Sequence, residues 1–323
     1  MSSSRADPSA NDTELEPALP ITVIMNAGSG RRDAENDRRQ IEEALERSGR
    51  EYRIVPCARP GDLERAAREA VADAARHPRI VAAAGGDGTI NAVAGHVLGT
   101  GLSLGVIPLG TYNFFARDLG IPLDPARAAA ALVDGRVRRV HVAHVNGRLF
   151  LINATFGLYR RVLEERERYK HRFGRYRFVT VPSALITLMR NHRTYRVELE
   201  LDGRPAVLHT LMLFFGLNTL QLEKLDLDVA ECTARGRLAV LALRPMSRLE
   251  LLGIALRGAL QRLEQAPNLQ RHCASRVDVY WRGARRIRVA VDGETIECEV
   301  PLRFEVLPDA LPVVVPRSPE PRE

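Results

Sequence analysis

The sequence predicts two parts: an N-terminal parallel α/β domain, followed by a domain built mainly of antiparallel strands. Three observations carry this. From residue 20 to 135 short apolar runs alternate with amphipathic stretches of helical spacing, whereas after residue 136 strand-like runs follow one another directly. Asp-Gly pairs join two of the later runs, at Asp202-Gly203 and Asp292-Gly293, the signature of a type I′ hairpin. Three loops of small residues each close a strand of the first part, the edge at which α/β sheets bind ligands.

Taken in order, "ITVIMNAGSG" (21–30) is a strand running into a small-residue loop, and "AENDRRQIEEALERSG" (34–49) is an amphipathic helix closed by Gly49. "YRIVP" (52–56) is a strand, and "GDLERAAREAVADAARH" (61–77) a helix. "RIVAAAGGDG" (79–88) is a buried strand and turn, "TINAVAGHVLG" (89–99) a helix, and "SLGVIPLGT" (103–111) another strand and loop. Strands separated by helices of this length imply right-handed βαβ units and a parallel, Rossmann-like sheet.

The second part reads as strands at "RRVHVAHVNG" (138–147), "RLFLINAT" (148–155), "TYRVELELDGRPAVLHTLMLFFG" (194–216) and "GRLAVLALRP" (236–245). They continue at "RVDVYW" (276–281), "RRIRVAVDGETIECEV" (285–300), "LRFEVLP" (302–308) and "LPVVVP" (311–316). Such a run of antiparallel strands suggests a β-sandwich-like domain. Two helical segments interrupt it, at 157–190 and 247–264. The expected division is a disordered leader over 1–19, an α/β nucleotide-binding domain over 20–135, a β-rich acceptor domain over 136–316 whose last strands return to the first, and a disordered tail over 317–323.

Composition narrows the function. The chain has 323 residues, 45% apolar and 27% charged, which suits globular domains rather than disorder. A net charge of +7 favours an anionic partner: a nucleotide, a phospholipid surface or nucleic acid. Aromatics at 5%, without basic-aromatic interleaving, argue against single-stranded nucleic acid. Cys57, Cys232, Cys273 and Cys298 are widely spaced with no CxxC pair, and this reads as a reduced, cytosolic setting. The N-terminus has no apolar stretch of signal-peptide type, and no apolar run reaches the ~20 residues that cross a bilayer. The longest, "AVLHTLMLFFGL" (206–217), reads as a buried strand.

The loop "AAAGGDGTIN" (82–91) raises the chemical question. Its glycines let backbone approach a ligand closely, and the first amides of the following helix attract phosphate. Asp87 is an anion beside that site. Either it caps the helix, or it deals with a divalent cation, a proton or a ribose hydroxyl. "NAGSG" (26–30) offers a second set of amides, and "GVIPLGTYNFFARDLGIP" (105–122) places Gly110, Thr111 and Asn113 after a third strand. Three such loops along one sheet edge indicate a nucleotide site.

"GGDGTIN" and "GVIPLGTYN…FARDLGIP", preceded by "NAGSG" and followed by "VAVDGE", resemble the diacylglycerol kinase catalytic-domain family of bacterial lipid kinases and sphingosine and ceramide kinases. The "GGDGT" element is shared with NAD kinases; "PLGTxN…ARDLGIP" is specific to the lipid-kinase side. The resemblance implies transfer of phosphate from ATP, with Mg2+, to a lipid hydroxyl, in a nucleotide cleft between the two domains. It implies Asn26, Ser29, Gly30, Cys57, Gly110, Thr111 and Asn113 as nucleotide contacts, with Gly85, Gly86, Asp87, Gly88, Thr89 and Asn91 around the phosphates. Asp87 would lie near the metal. Glu294, of the family's "DGE", would accept the proton of the attacking hydroxyl. Read from its residues alone, "VAVDGETIE" is also an ordinary hairpin, and the other one, "ELDGRPA", continues with Arg204 instead.

The chain departs from the family pattern at Ala92 and Phe114, where acids are usual, and "ARGRLAV" (234–240) replaces an acidic "DGxLD" segment that holds an accessory metal. Arg235 and Arg237 cannot ligate magnesium, so that metal is expected to be absent and arginine pairing to take its structural place. Asp226 and Asp228 lie close by in sequence. "YRRVLEERERYKHRFGRYRFVTVPSALITLMR" (159–190), basic and then apolar, suits peripheral contact with a membrane or a solvated helix followed by a core helix. "SRLELLGIALRGALQRLEQ" (247–265) is amphipathic, with an apolar face that suits a core. His141 and His144 point to opposite faces of a strand and make no metal pair. The expected partners are ATP and a lipid such as a diacylglycerol or long-chain base, with a homodimer allowed for and no nucleic acid; the expected location is cytoplasmic, against the inner membrane face. The alternatives are a soluble-metabolite kinase of NAD kinase type and a nucleotide- or lipid-binding protein without catalysis.

Overall fold

A computed structural model describes residues 12–16, 19–27, 31–157, 194–223, 229–247, 249–250, 253 and 268–321. The chain divides into two compact units, one formed by Met1–His141 with Asp309–Glu323 and the other by Val142–Pro308.

In the first unit, β2 (Ile21–Asn26), β3 (Tyr52–Cys57), β4 (Ile80–Gly85) and β5 (Leu104–Pro108) form a parallel sheet in the order β3-β2-β4-β5. β2 and β4 are almost entirely buried, as strands covered on both faces must be. The crossovers are α1 (Arg31–Ser48), α2 (Pro60–Ala74) and α3 (Asp87–Val97). α1 ends at Gly49, whose φ of +66° is the left-handed stop the sequence predicts. Two helices escaped the sequence reading: α4 (Phe114–Asp118) and α5 (Pro125–Asp134), the latter capped by Asp124 Oδ1 accepting from the Arg127 amide at 2.9 Å. From β2 the chain steps to β3 on one side and then to β4 and β5 on the other. The switch point therefore falls between β2 and β4.

The second unit stacks two antiparallel layers. One has the order β10-β9-β14-β17, from β9 (Tyr195–Leu201), β10 (Arg204–Thr210), β14 (Arg276–Tyr280) and β17 (Leu302–Val315). The other has the order β13-β12-β11-β8-β15-β16, from β8 (Asn153–Gly157), β11 (Met212–Gly216), β12 (Leu238–Leu243), β13 (Leu269–Ala274), β15 (Arg286–Val291) and β16 (Glu294–Glu299). Inward side chains of both layers share one core that includes Phe156, Val197, Phe215, Val240, Val289 and Phe304. β6 (Arg136–Val145) and β17 each contribute residues to both units. β6 continues into β7 (Arg148–Phe150), with which it pairs.

Several expectations need correction. The run 206–217 is two strands in different sheets: the chain breaks at Leu211, where the Thr210 hydroxyl lies 2.6 Å from the Met212 carbonyl and 2.8 Å from that of Leu243. "RLFLINAT" is likewise divided into β7 and β8, while 302–308 and 311–315 belong to the single strand β17. α3 begins at Asp87, two residues before the expected start, because Gly86 is its N-cap. The leader is not wholly without structure. β1 (Thr13–Glu14) pairs with β6, and the Asp12 carboxylate lies 2.7 Å from Arg136 and 2.9 Å from Arg138. The tail is fixed in part, since the Glu320 amide donates to the Gly120 carbonyl at 2.9 Å. The cysteines are not all reduced either: Cys232, on α7 (Ala230–Ala234), and Cys273 form a disulfide with Cα atoms 5.8 Å apart. A separation of 41 residues hides that pair from a search for CxxC. The segments 159–190 and most of 247–265 lie outside the described residues, as do Asp226 and Asp228.

Candidate functional site

The site is built where β2, β4 and β5 end. Asn26, at the end of β2, donates from Nδ2 to Thr89 Oγ1 at 3.1 Å, and this bond spans the switch point between β2 and β4. Gly85 and Gly86 follow β4. A Cβ on Gly85 would stand 2.6 Å from the Thr89 side chain, so only glycine lets α3 turn so tightly there. No side chain caps α3, and the amides of its first turn are left for an anion.

The third loop is packed directly on the second. A Cβ on Gly110 would stand 2.6 Å from Gly86 Cα, and the Leu109 amide donates to the Gly85 carbonyl at 2.9 Å. Asn113 takes a left-handed conformation, φ 51°, and folds its side chain back, accepting from the Gly110 amide at 2.9 Å and donating to the Gly110 carbonyl at 3.0 Å. That leaves α4 without a cap from its own N-cap residue. Asp87 supplies it from 27 residues away: the Phe114 amide donates to Oδ2 at 3.3 Å and the Phe115 amide to Oδ1 at 3.2 Å. The helix-cap reading of Asp87 thus holds in an altered form, with α4 capped in place of α3. Burial pushes its carboxyl above the ordinary value, while the Phe115, Phe114 and Asn113 amides and the charge of Arg117 pull it back.

The other nucleotide candidates fare unequally. Asn91 is buried on α3, and Gly110 and Thr111 are exposed at the loop. Cys57 is buried at the end of β3, and its carbonyl accepts from the Ala27 amide at 2.9 Å, so it supports the first loop through backbone. Burial also raises its thiol pKa. Ser29 and Gly30 lie outside the described residues. Tyr112 is exposed and stacks on Phe114, with ring centroids 5.7 Å apart. No signal in the glycine pattern announced this pair.

Glu294 opens β16 just after the Asp292-Gly293 turn. Its side chain is 64% exposed and lies 3.6 Å from Arg148 at the start of β7. The turn has φ 45° at Asp292 and 90° at Gly293; its counterpart has 48° at Asp202 and 80° at Gly203. Both are left-handed at both positions, as a type I′ turn requires. Arg237 Nη2 reaches Asp202 Oδ2 at 2.6 Å and Arg235 Nη2 reaches Glu231 at 3.2 Å. His141 and His144 pair with different acids, Asp309 at 3.3 Å and Glu305 at 3.6 Å.

A sequence model of the diacylglycerol kinase catalytic domain matches residues 20–145, the stretch that carries all three loops. Over 186 residues the chain is 34% identical to "Diacylglycerol kinase" of Bacillus subtilis, an overlap of 56% of this chain and 59% of that protein. Over 117 residues it is 45% identical to "Probable lipid kinase YegS-like" of Pseudomonas aeruginosa, an overlap of 35% and 37%. The match thus spans little more than half the length of the first relative and little more than a third of the second. A solved diacylglycerol kinase structure from Bacillus anthracis superposes with a TM-score of 0.72 at 19% identity over 94% of this chain and 99% of that one, which establishes the shared fold. No described helix is long and apolar enough to cross a membrane.

The uncapped α3 terminus leaves backbone donors at the end of β4, where the close approach of Gly110 to Gly86 brings the second and third loops together. Among the described residues no group of three or more His, Cys, Asp or Glu could hold a metal ion by itself. A magnesium ion would therefore depend on the oxygens of a bound ligand for most of its coordination.

Proposed function

We propose that the chain is an ATP-dependent lipid kinase that transfers the γ-phosphate to the hydroxyl of a diacylglycerol-like or long-chain-base lipid. The observation that carries this reading is the knitting of three loops at the switch point through Asn26–Thr89, Gly86–Gly110 and Asp87 with the α4 amides. Phosphoryl transfer requires a rigid donor set around the phosphates more than it requires reactive side chains. In this assignment Asn26, Ser29, Gly30 and the 85–91 loop hold the nucleotide, with Gly110, Thr111 and Asn113 alongside. Three backbone amides do not exhaust the acceptor sites of the Asp87 carboxylate, and a remaining lone pair would accept from water on a bound magnesium ion. Magnesium, when bound with ATP, neutralises charge on the phosphate oxygens. Glu294 accepts the hydroxyl proton as the lipid oxygen bonds to phosphorus and the bond from phosphorus to the ADP oxygen breaks.

The exposure of Glu294 suits a base that meets a bulky lipid alcohol arriving from solution or a membrane face. The family's reaction class and the relatives' names favour a lipid acceptor over NAD. A second reading, a nucleotide-binding protein without catalysis, draws on Ala92 and Phe114, where acids are usual. The test is transfer of labelled γ-phosphate from ATP with magnesium into a mixed lipid extract, with Glu294→Gln in parallel. A labelled lipid whose yield falls at least about tenfold in the variant supports the kinase. ATP binding without any labelled product favours the second reading.

A further inference from the structure

The Glu294 hairpin is held by a device that the same unit repeats at a hairpin lacking the acid. The Asp292 carboxylate accepts three consecutive amides: Leu151 on Oδ2 at 2.7 Å, and Ile152 and Asn153 on Oδ1, both at 2.9 Å. The Asp292 amide returns a bond to the Asn153 carbonyl at 2.9 Å. The 151–153 turn is fixed from its far side as well. Leu217 and Asn218 donate their amides to the Ile152 carbonyl at 2.9 and 3.2 Å, and the Asn153 side chain donates to Gln221 Oε1 at 2.9 Å. Gln221 lies on α6 (Thr219–Glu223), which is joined to α7 through the Thr219 and Thr233 hydroxyls, 2.8 Å apart.

At the other hairpin, Asp202 Oδ1 accepts the Ser275 and Arg276 amides at 2.9 Å each, and the Asp202 amide donates to the Arg276 carbonyl at 3.0 Å. Turn type and dihedral angles are matched, and in each clamp one oxygen accepts two consecutive amides; the second oxygen takes the Leu151 amide at Asp292 and the Arg237 guanidinium at Asp202. The turns differ again two residues on, where one leads to Glu294 and the other to Arg204. A two-residue turn with both φ positive is stiff, and Glu294 is the first residue beyond it.

We infer that Asp292 is a positioning residue for Glu294. By seizing the 151–153 amides it fixes where β16 starts, and so where an otherwise exposed carboxylate stands when the lipid hydroxyl arrives. Asn153 and Gln221 serve the same end from the opposite side. Reacting groups must be held to fractions of an ångström, and an exposed acid on a strand end has no packing of its own to hold it.

This inference rests on the kinase reading, and the experiment separates the two. Asp292→Asn keeps a side chain that tolerates the left-handed turn and keeps one carbonyl oxygen, but it turns an NH2 group toward the Leu151 amide. Asp202→Asn is its matched control, losing the Arg237 partner in the same way. Steady-state kinetics on the full chain, with ATP-magnesium and vesicles of the lipid that wild type labels, should show kcat reduced between about tenfold and a hundredfold in Asp292→Asn with KM for ATP unchanged. Asp202→Asn should stay within about twofold of wild type at a comparable loss of thermal stability. In the Glu294→Gln background, Asp292→Asn should cost nothing further, because the group it positions is gone.

Gln221→Ala loosens the turn without touching the hairpin and is the second variant should Asp292→Asn fold poorly. It should lower kcat by about threefold, again only while Glu294 is present. Equal kcat losses in the two asparagine variants would overturn the inference, and so would a loss that persists beside Glu294→Gln or a Gln221→Ala enzyme with full turnover. A wild type that labels no lipid would instead overturn the kinase reading itself.

Discussion

Replacing Asp87 with asparagine preserves shape and removes charge, so the sequence alone predicts lost transfer with an intact fold. The hydrogen bonds predict more. The Phe114 amide points at one carboxylate oxygen and the Phe115 amide at the other, so asparagine can satisfy only one of them and sets an NH2 group against the second. Losing an amide bond to a charged acceptor costs about 1.5–3 kcal/mol, and the surviving bond weakens to a neutral one. Relief of the buried charge offsets part of this, leaving a net loss of about 2 kcal/mol. For a unit of roughly 150 residues that lowers Tm by roughly 4–8 °C. The sign with pH is also fixed. Burial raises the carboxyl pKa in the folded state, so between the ordinary and the raised values the folded chain holds more protons and wild-type stability falls as pH rises through that window. Asparagine does not titrate, so the gap in favour of wild type should widen as pH falls from about 7 toward about 4. Calorimetry across that range, with ATP affinity measured beside it, checks both parts. A variant within about 1 °C of wild type at every pH and with unchanged ATP affinity would refute the clamp.

Gly110→Ala should cost about 1–3 kcal/mol and weaken ATP binding, because its Cβ meets the Gly86 backbone; Gly61→Ala, whose Cβ meets nothing within 4 Å, is the control and should be neutral or slightly stabilising in calorimetry. Reducing the Cys232–Cys273 bond releases a loop of 41 residues, worth about 4 kcal/mol by loop-closure entropy, so denaturant unfolding with and without a dithiol should shift by that order, and alkylation mass should count two newly reactive thiols.

The parts legible in the sequence are those set by local chemistry. Small residues after apolar runs announced the three loops because close backbone approach excludes side chains, and Gly85 and Gly110 show how near that approach is. Asp-Gly announced both hairpins because two positive φ values in succession leave few other choices. The parts that were illegible are set by partners distant in sequence. The partners of Asp87 lie 27 residues on and those of Asp292 about 140 residues back, and no periodicity encodes such distances. The break at Leu211 was hidden for the same reason: the run stays apolar on either side, and only the Leu243 carbonyl, 33 residues away, explains why Thr210 turns the chain.

The aspartates carry the more general point. Asp87, Asp202 and Asp292 each accept backbone amides from a segment remote in sequence, and each fixes a loop that would otherwise have to order itself. A carboxylate suits this work because its two oxygens offer about four acceptor sites, enough to clamp amides and still address a ligand. Where the clamp is the whole function, as at Asp202, the surroundings answer with a cation: burial is outweighed by the amides together with Arg237, and that carboxyl is held below its ordinary value. Where chemistry is proposed the balance is reversed at Asp87, whose carboxyl is held above it by burial. An aspartate in a glycine-rich turn therefore identifies a clamp, and only its remaining lone pairs and the residue beyond the turn decide whether it also serves a reaction.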